Sequence, residues 1–214
     1  MQCIAVVDFG TGNLRSVSKA LEHVADDARV LVTREPHQID LADRVVLPGQ
    51  GAMGTWLDAM QERGLGVSVR RALERVPVLG ICLGMQALLE HSDEDGGTEG
   101  LGLIKGEVRR FERPAMAERD FKIPHMGWNR VRQARPHPLW DGIEDGTRFY
   151  FVHSYYSDPE NRDDVAGVTD YIIEFTSAIA RDNVFAVQFH PEKSHAQGLK
   201  LLANFVCWSG APEL

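Results

Sequence analysis

The chain has 214 residues, 43% hydrophobic and 25% charged, enough for a single globular domain over 1–214 with a sizeable core. Its formal net charge of -8 argues against nucleic-acid binding, which calls for a basic patch or stripe. No apolar run approaches the roughly 18–20 residues that span a bilayer, and residues 1–8 lack the basic start and long apolar stretch of a secretory signal. A cytoplasmic protein with neither membrane nor nucleic-acid partners is expected.

Residues 3–7 form an apolar run ending at Asp8, a first strand. Gly10-Thr11-Gly12 then turns the chain into a helix with Leu14, Val17, Leu21 and Val24 at helical spacing. That Gly-x-Gly makes a poor dinucleotide loop, because Arg15 stands where a third glycine is needed. Strands are expected over 29–33 and 44–47. The second ends in Pro48-Gly49-Gln50-Gly51, too glycine-rich to continue a strand. Helices follow over 55–63 and 67–75, and Pro77 leads into a strand at 78–81. Such alternation indicates a parallel sheet with helices on both faces.

The strand at 78–81 runs into Gly80-Ile81-Cys82-Leu83-Gly84, the cysteine form of a nucleophile elbow. Flanking glycines let neighbouring segments approach a strained strand-to-helix turn. A helix over 85–90 would aim its free N–H groups and positive dipole end at the sulfur, favouring the thiolate. The competing reading is a buried core cysteine at a strand end. Cys3, Cys82 and Cys207 are far apart and odd in number, which fits a reducing compartment and no disulfide framework.

Residues 92–100 read as an acidic, glycine-rich loop. From 103 to 148 the runs are short and broken by Pro114, Pro124, Pro136 and Pro138, which suits hairpins. Strands follow over 149–152, 165–168, 177–181 and 184–189, antiparallel because their connections are short. A helix over 198–209 closes the chain, with Leu199, Leu202, Phe205 and Val206 on its apolar face. The expected fold is α/β: a mixed, largely parallel central sheet flanked by helices, with an added antiparallel hairpin region.

A cysteine nucleophile needs a base, and the base an orienting group. Among eight histidines, His23, His37, His91 and His137 lie in polar or turn surroundings and read as surface. His190 differs. It ends a strand and opens His190-Pro191-Glu192, where Pro191 forces a turn and the carboxylate can fix the imidazole tautomer. A metal site from His190, Glu192 and His195 lacks further ligands at recognised spacings, so no metal and no cofactor are expected.

Gly80-Ile81-Cys82-Leu83-Gly84-Met85-Gln86 with Gln188-Phe189-His190-Pro191-Glu192 resembles the class I glutamine amidotransferases. Three further segments resemble the glutaminase subunits of imidazole glycerol phosphate synthases within that class. They are residues 8–14, residues 122–129 with Pro124-His125-Met126-Gly127-Trp128-Asn129, and residues 150–156. The resemblance spans nearly the whole chain and implies L-glutamine as substrate. Cys82 would be the nucleophile, His190 the general base and then acid, and Glu192 its orienting group. Leu83 and Gln50 would supply the oxyanion N–H donors. In the family the loop at 48–51 is thought to require a peptide flip, and Gln50 stands where valine is common. Gly49, Gly51, Gln86, Glu94, Ser154 and Tyr155 would contact substrate.

Asn13, His125, Trp128, Asn129 and Lys193 would face a TIM-barrel cyclase partner in a heterodimer. That partner would use the ammonia to form imidazole glycerol phosphate and aminoimidazole carboxamide ribotide in histidine biosynthesis. The glutaminase of another synthase, such as that making pyridoxal phosphate, and a binding module with a vestigial triad are the alternatives.

Overall fold

Alternation within the first strand decides the layers. In the computed structural model, which describes residues 1–112 and 121–210, β1 (Gln2–Val7) is covered on both faces. Ile4 and Val6 enter one apolar cluster and Ala5 and Val7 the other, as a side-chain period of two requires. The chain continues through α1 (Leu14–Val24), β2 (Ala28–Thr33), α2 (Pro36–Asp40), β3 (Arg44–Gly49), α3 (Met53–Glu62), α4 (Gly66–Arg75) and β4 (Val78–Cys82). Next come α5 (Leu83–Gln86), β5 (Leu89–Ser92), β6 (Thr98–Glu99), β7 (Ile104–Arg110), β8 (His125–Arg130) and β9 (Arg132–Gln133). The last elements are β10 (Arg148–His153), β11 (Tyr155–Pro159), β12 (Val165–Asp170), β13 (Glu174–Arg181), β14 (Val184–Val187) and α6 (His195–Cys207).

Strands β2, β1, β3, β4 and β14 lie side by side and pair in parallel. Beyond β14 the sheet continues antiparallel through β13, β11 and β7, while β8 and β10 form a separate antiparallel pair. This is the mixed α/β architecture with an antiparallel region that the sequence implies. Val17 and Leu21 of α1 and Leu201, Leu202 and Phe205 of α6 cover one face of the parallel half. Met53 and Trp56 of α3 and Val69 and Leu73 of α4 cover the other. Each such side chain, fully buried, contributes about 1.5–3 kcal/mol. Among the described residues no helix is long and apolar enough to cross a membrane.

Several expectations need correction. The helix after the elbow stops at Gln86 and not at Glu90, because Leu89 is drawn into β5, paired with Ile104 of β7. Strand β3 does not stop at Leu47, since Pro48 pairs with Ile81 and Gly49 with Cys82. Proline costs that ladder an N–H, yet its carbonyl still accepts from the Trp56 indole at 3.0 Å. Strand β14 ends at Val187, two residues early, and β11 and the five-residue α2 went unread. In α6 the buried stripe is Gly198, Leu201, Leu202 and Phe205, with Leu199 and Val206 only half-buried. His137 is not a surface residue: its ring packs 4.5 Å from Phe185 and 5.1 Å from Trp208. Pro114 lies outside the described residues.

Candidate active site

The C-terminal ends of β3, β4 and β14 meet at Cys82, as expected of ligand sites in parallel sheets. Cys82 ends β4 with φ 55° and ψ -107°, a conformation costing a residue with a Cβ roughly 1–3 kcal/mol. The elbow glycines are there for close approach. A Cβ on Gly84 would lie 1.8 Å from the Leu47 carbonyl oxygen, and one on Gly80 2.9 Å from the Gly84 oxygen. The four-residue α5 is too short to supply the dipole that a longer helix would bring to the sulfur, so thiolate support falls to side chains. The Leu83 N–H, first in α5, has no acceptor within the helix.

His190 follows β14 and is held by its backbone. Its N–H donates to the Tyr150 carbonyl at 2.9 Å. The Ser194 hydroxyl donates to the His190 carbonyl at 2.6 Å and accepts from the Tyr150 N–H at 3.0 Å. Glu192 Oε1 accepts from His190 Nδ1 at 2.8 Å, which leaves Nε2 as the nitrogen available for proton transfer. Nε2 is buried and has no hydrogen-bond partner among the described residues. Burial pushes the imidazole toward neutrality, but the Cys82 thiolate and Glu192 together outweigh it and raise the pKa to about 10.

Beside the sulfur opens a cavity of about 350 Å³. Gln50, Gly51, Leu83, Gln86, Glu94, Ser154, Tyr155 and Lys193 line it with Cys82. Gly49 lies at the strand end, in register with Cys82. The Glu94 carboxylate accepts from the Met53 N–H at 2.7 Å. Its pKa is raised because burial outweighs that bond. Lys193 sits 5.9 Å over the Tyr150 ring. Gln86 is buried and donates through Nε2 to the Tyr155 carbonyl at 3.0 Å and to Gln188 Oε1 at 2.9 Å.

The residues assigned to a partner face are not all on a surface. His125 is buried, stacked between Phe151 and Tyr171 with ring centroids 4.9 and 3.9 Å away, so it cannot itself face a partner. Trp128, 42% exposed, is no core aromatic; it stacks on His195 at 5.0 Å. Asn129 is half-buried and donates to the Asp170 carbonyl at 2.8 Å. Asn13 caps α1, accepting from the Ser16 N–H at 3.3 Å.

Three participants escaped sequence reading. Gln188 reaches Cys82 Sγ with Nε2 at 3.6 Å, Ser194 clamps the base, and His153 lines the cavity wall. A polar residue ending an otherwise apolar strand was the available signal for Gln188 and for His153. Ser194 gave none, because a hydroxyl after a turn is commonplace.

The glutamine amidotransferase class-I family model matches residues 5–208. The chain is 53% identical to an imidazole glycerol phosphate synthase subunit HisH of Nitrosococcus oceani, over 98% of this chain and 99% of that one. It is 55% identical to the subunit of the same name from Nitrosomonas europaea, over 98% and 100% of the two chains. Among solved structures, a putative GMP synthase subunit from Thermoplasma acidophilum superposes with a TM-score of 0.68 at 21% identity, covering 97% of this chain and 93% of that one. A glutamine amidotransferase crystal structure gives 0.67 at 16% identity, covering 96% and 99%. These two likenesses concern the fold.

Proposed function

This chain belongs to the glutamine amidotransferase class-I family and, within it, to the glutaminase subunits of imidazole glycerol phosphate synthase, and from that premise we propose how its cavity works. Cys82 Sγ attacks the side-chain carboxamide carbon of L-glutamine. The oxyanion that forms is held by the N–H groups of Leu83 and Gln50, each worth roughly 3–4 kcal/mol of transition-state stabilisation. The C–N bond breaks as His190 Nε2–H protonates the departing nitrogen, which leaves ammonia and a γ-glutamyl thioester. His190 then takes a proton from water, and hydroxide attack releases glutamate and the Cys82 thiolate. Glu192 holds the ring through Nδ1 in both halves.

Gln86 accepts from the substrate carboxamide N–H. Glu94 receives the α-amino group, and Ser154-Tyr155 with Gly49 and Gly51 borders the rest of the amino acid. The ammonia passes to a TIM-barrel cyclase in a heterodimer, which makes imidazole glycerol phosphate and aminoimidazole carboxamide ribotide. Asn13, Trp128, Asn129 and Lys193 contribute to that face, His125 only from beneath it. Three free cysteines support a reducing cytoplasm as the setting.

The observation that carries the mechanism is that Cys82, which lines the cavity, interacts with a buried His190 bonded to Glu192. Steady-state glutaminase rates, measured with and without the cyclase and its nucleotide, test it with Cys82→Ala as control. Activation by the cyclase is expected, together with a thioester mass on Cys82. High activity indifferent to the cyclase would overturn the partner assignment. Absence of both turnover and thioester with the partner present would make the chain a binding module.

A further inference from the structure

The polarity of the cavity wall can be traced to one backbone atom. A carbonyl oxygen only accepts, so the Tyr155 carbonyl fixes Gln86 with its NH2 group toward it. The second N–H of Gln86 meets Gln188, which obliges Gln188 to turn Oε1 toward Gln86 and Nε2 toward Cys82 Sγ, 3.6 Å away. Gln188 is fully buried, and its backbone N–H still donates to Ser177 of β13 at 2.9 Å, so its position is set by the sheet.

The same carbonyl is anchored from the other side. His153 Nδ1–H donates to it at 2.7 Å, and His153 Nε2 accepts from His125 Nδ1–H at 2.9 Å. Asn129 completes the row, donating to His125 Nε2 at 3.3 Å. Each donor direction follows from the first, because a neutral imidazole has one donor and one acceptor. Burial holds both rings neutral, His125 down to about 4 and His153 to about 3.

We propose that Gln188 is a further catalytic residue: with Gln86 it forms a pair of side-chain amides, oriented by the Tyr155 carbonyl, that ends in an N–H directed at the Cys82 sulfur. His125 and His153 are positioning residues that hold the carbonyl. Two consequences follow from one orientation. The sulfur gains a donor that favours its thiolate, replacing what the one-turn α5 does not supply. Both N–H groups of Gln86 are occupied, so the group it offers the cavity is its carbonyl. That oxygen accepts from a carboxamide N–H and repels a carboxylate, which separates glutamine from glutamate. This second consequence rests on the glutaminase reading; the first does not.

The titratable groups around Cys82 are His190 with Glu192 behind it, and Glu94, His153, Tyr155 and Lys193 on the cavity wall. None of them is altered in the test. The rate of Cys82 alkylation by iodoacetamide is followed against pH in the full chain with Cys3→Ser and Cys207→Ser as background. Gln188→Met, Gln188→Glu and Gln86→Met are compared with that background. Losing the donor raises the alkylation midpoint by about one pH unit, a roughly fivefold slower reaction at the original midpoint. Gln188→Glu moves it furthest, and Gln86→Met moves it because Gln188 is then free to turn. Thermal melting identifies the variants that remain folded, and a folded variant with an unmoved midpoint overturns the proposal. Alkylation needs no glutamine. A shifted midpoint in a protein that never hydrolyses glutamine would therefore sink the functional reading and leave this one standing.

Discussion

His190 lies between two acids, and its charge follows from both. With a pKa raised from an ordinary 6.5 to about 10, the imidazolium contributes stability that is complete below about 6.5 and lost as pH rises through about 10. The urea midpoints of wild type and His190→Asn should therefore differ most below about 6.5 and converge above about 10. Glu94 makes a second case. Its carboxylate lines the cavity and is anchored to α3, so Glu94→Gln is expected to raise the KM for glutamine about tenfold or more while kcat changes little, as loss of uniform substrate binding does. Steady-state kinetics with the cyclase present decide it, and an unchanged KM would remove Glu94 from the substrate. Cys82, His190 and Glu192 could be picked out from residue type and local spacing. Gln188 could not, since its partners Gln86 and Cys82 lie 102 and 106 positions away.

Among elements, strands with clear apolar runs and helices with one apolar stripe were legible, whereas boundaries decided by remote pairing were not. β3 runs to Gly49 because β4 lies beside it, and a Cβ at Gly49 would come 2.8 Å from both the Leu83 Cβ and the Trp56 Nε1. Trp56 is fully buried and its indole fixes the Pro48 carbonyl, one peptide short of Gln50. Trp56→Phe keeps the aromatic bulk and removes that bond. It is expected to cost about 1–2 kcal/mol of stability, read from denaturant unfolding, and to lower kcat more than it raises KM. Gly84→Ala puts a methyl group into the Leu47 carbonyl, and expression as an insoluble or unfolded chain is the expected result. Outside the site, His137 Nδ1 accepts from the Leu139 N–H at 3.1 Å and caps the short turn at Pro138–Trp140. Burial and Arg135 lower its pKa to about 4, so its neutral form is the folded one. The stability it supports is intact above about 6.5 and declines as pH falls toward about 4, by at most about 3 kcal/mol. His137→Asn keeps a capping oxygen without the titration, and its melting temperature should fall less steeply across that interval.

At the scale of the whole molecule, the separate β8–β10 pair carries an exposed patch, with Met126 63% and Trp128 42% exposed. Trp128→Ala is expected to weaken cyclase binding by about 1 kcal/mol or more, measured by calorimetry, while leaving intrinsic thiol reactivity unchanged. The mixed sheet was readable as a class. Its strand order was not, because short apolar runs do not say which neighbour they choose. The position of β14 matters most here, between β4 and β13 in the middle of the sheet although it comes from residues 184–187. A chain emerging from the ribosome therefore carries Cys82 for about another hundred residues before β14 can fill the slot beside β4. Until then β4 has one open edge, and Cys82 lacks both His190 and the Gln188 amide. On the proposed mechanism, the groups that would activate the thiol are assembled only as the sheet closes. A chain truncated before β14 is expected to show an alkylation midpoint near the roughly 8.5 of a free cysteine.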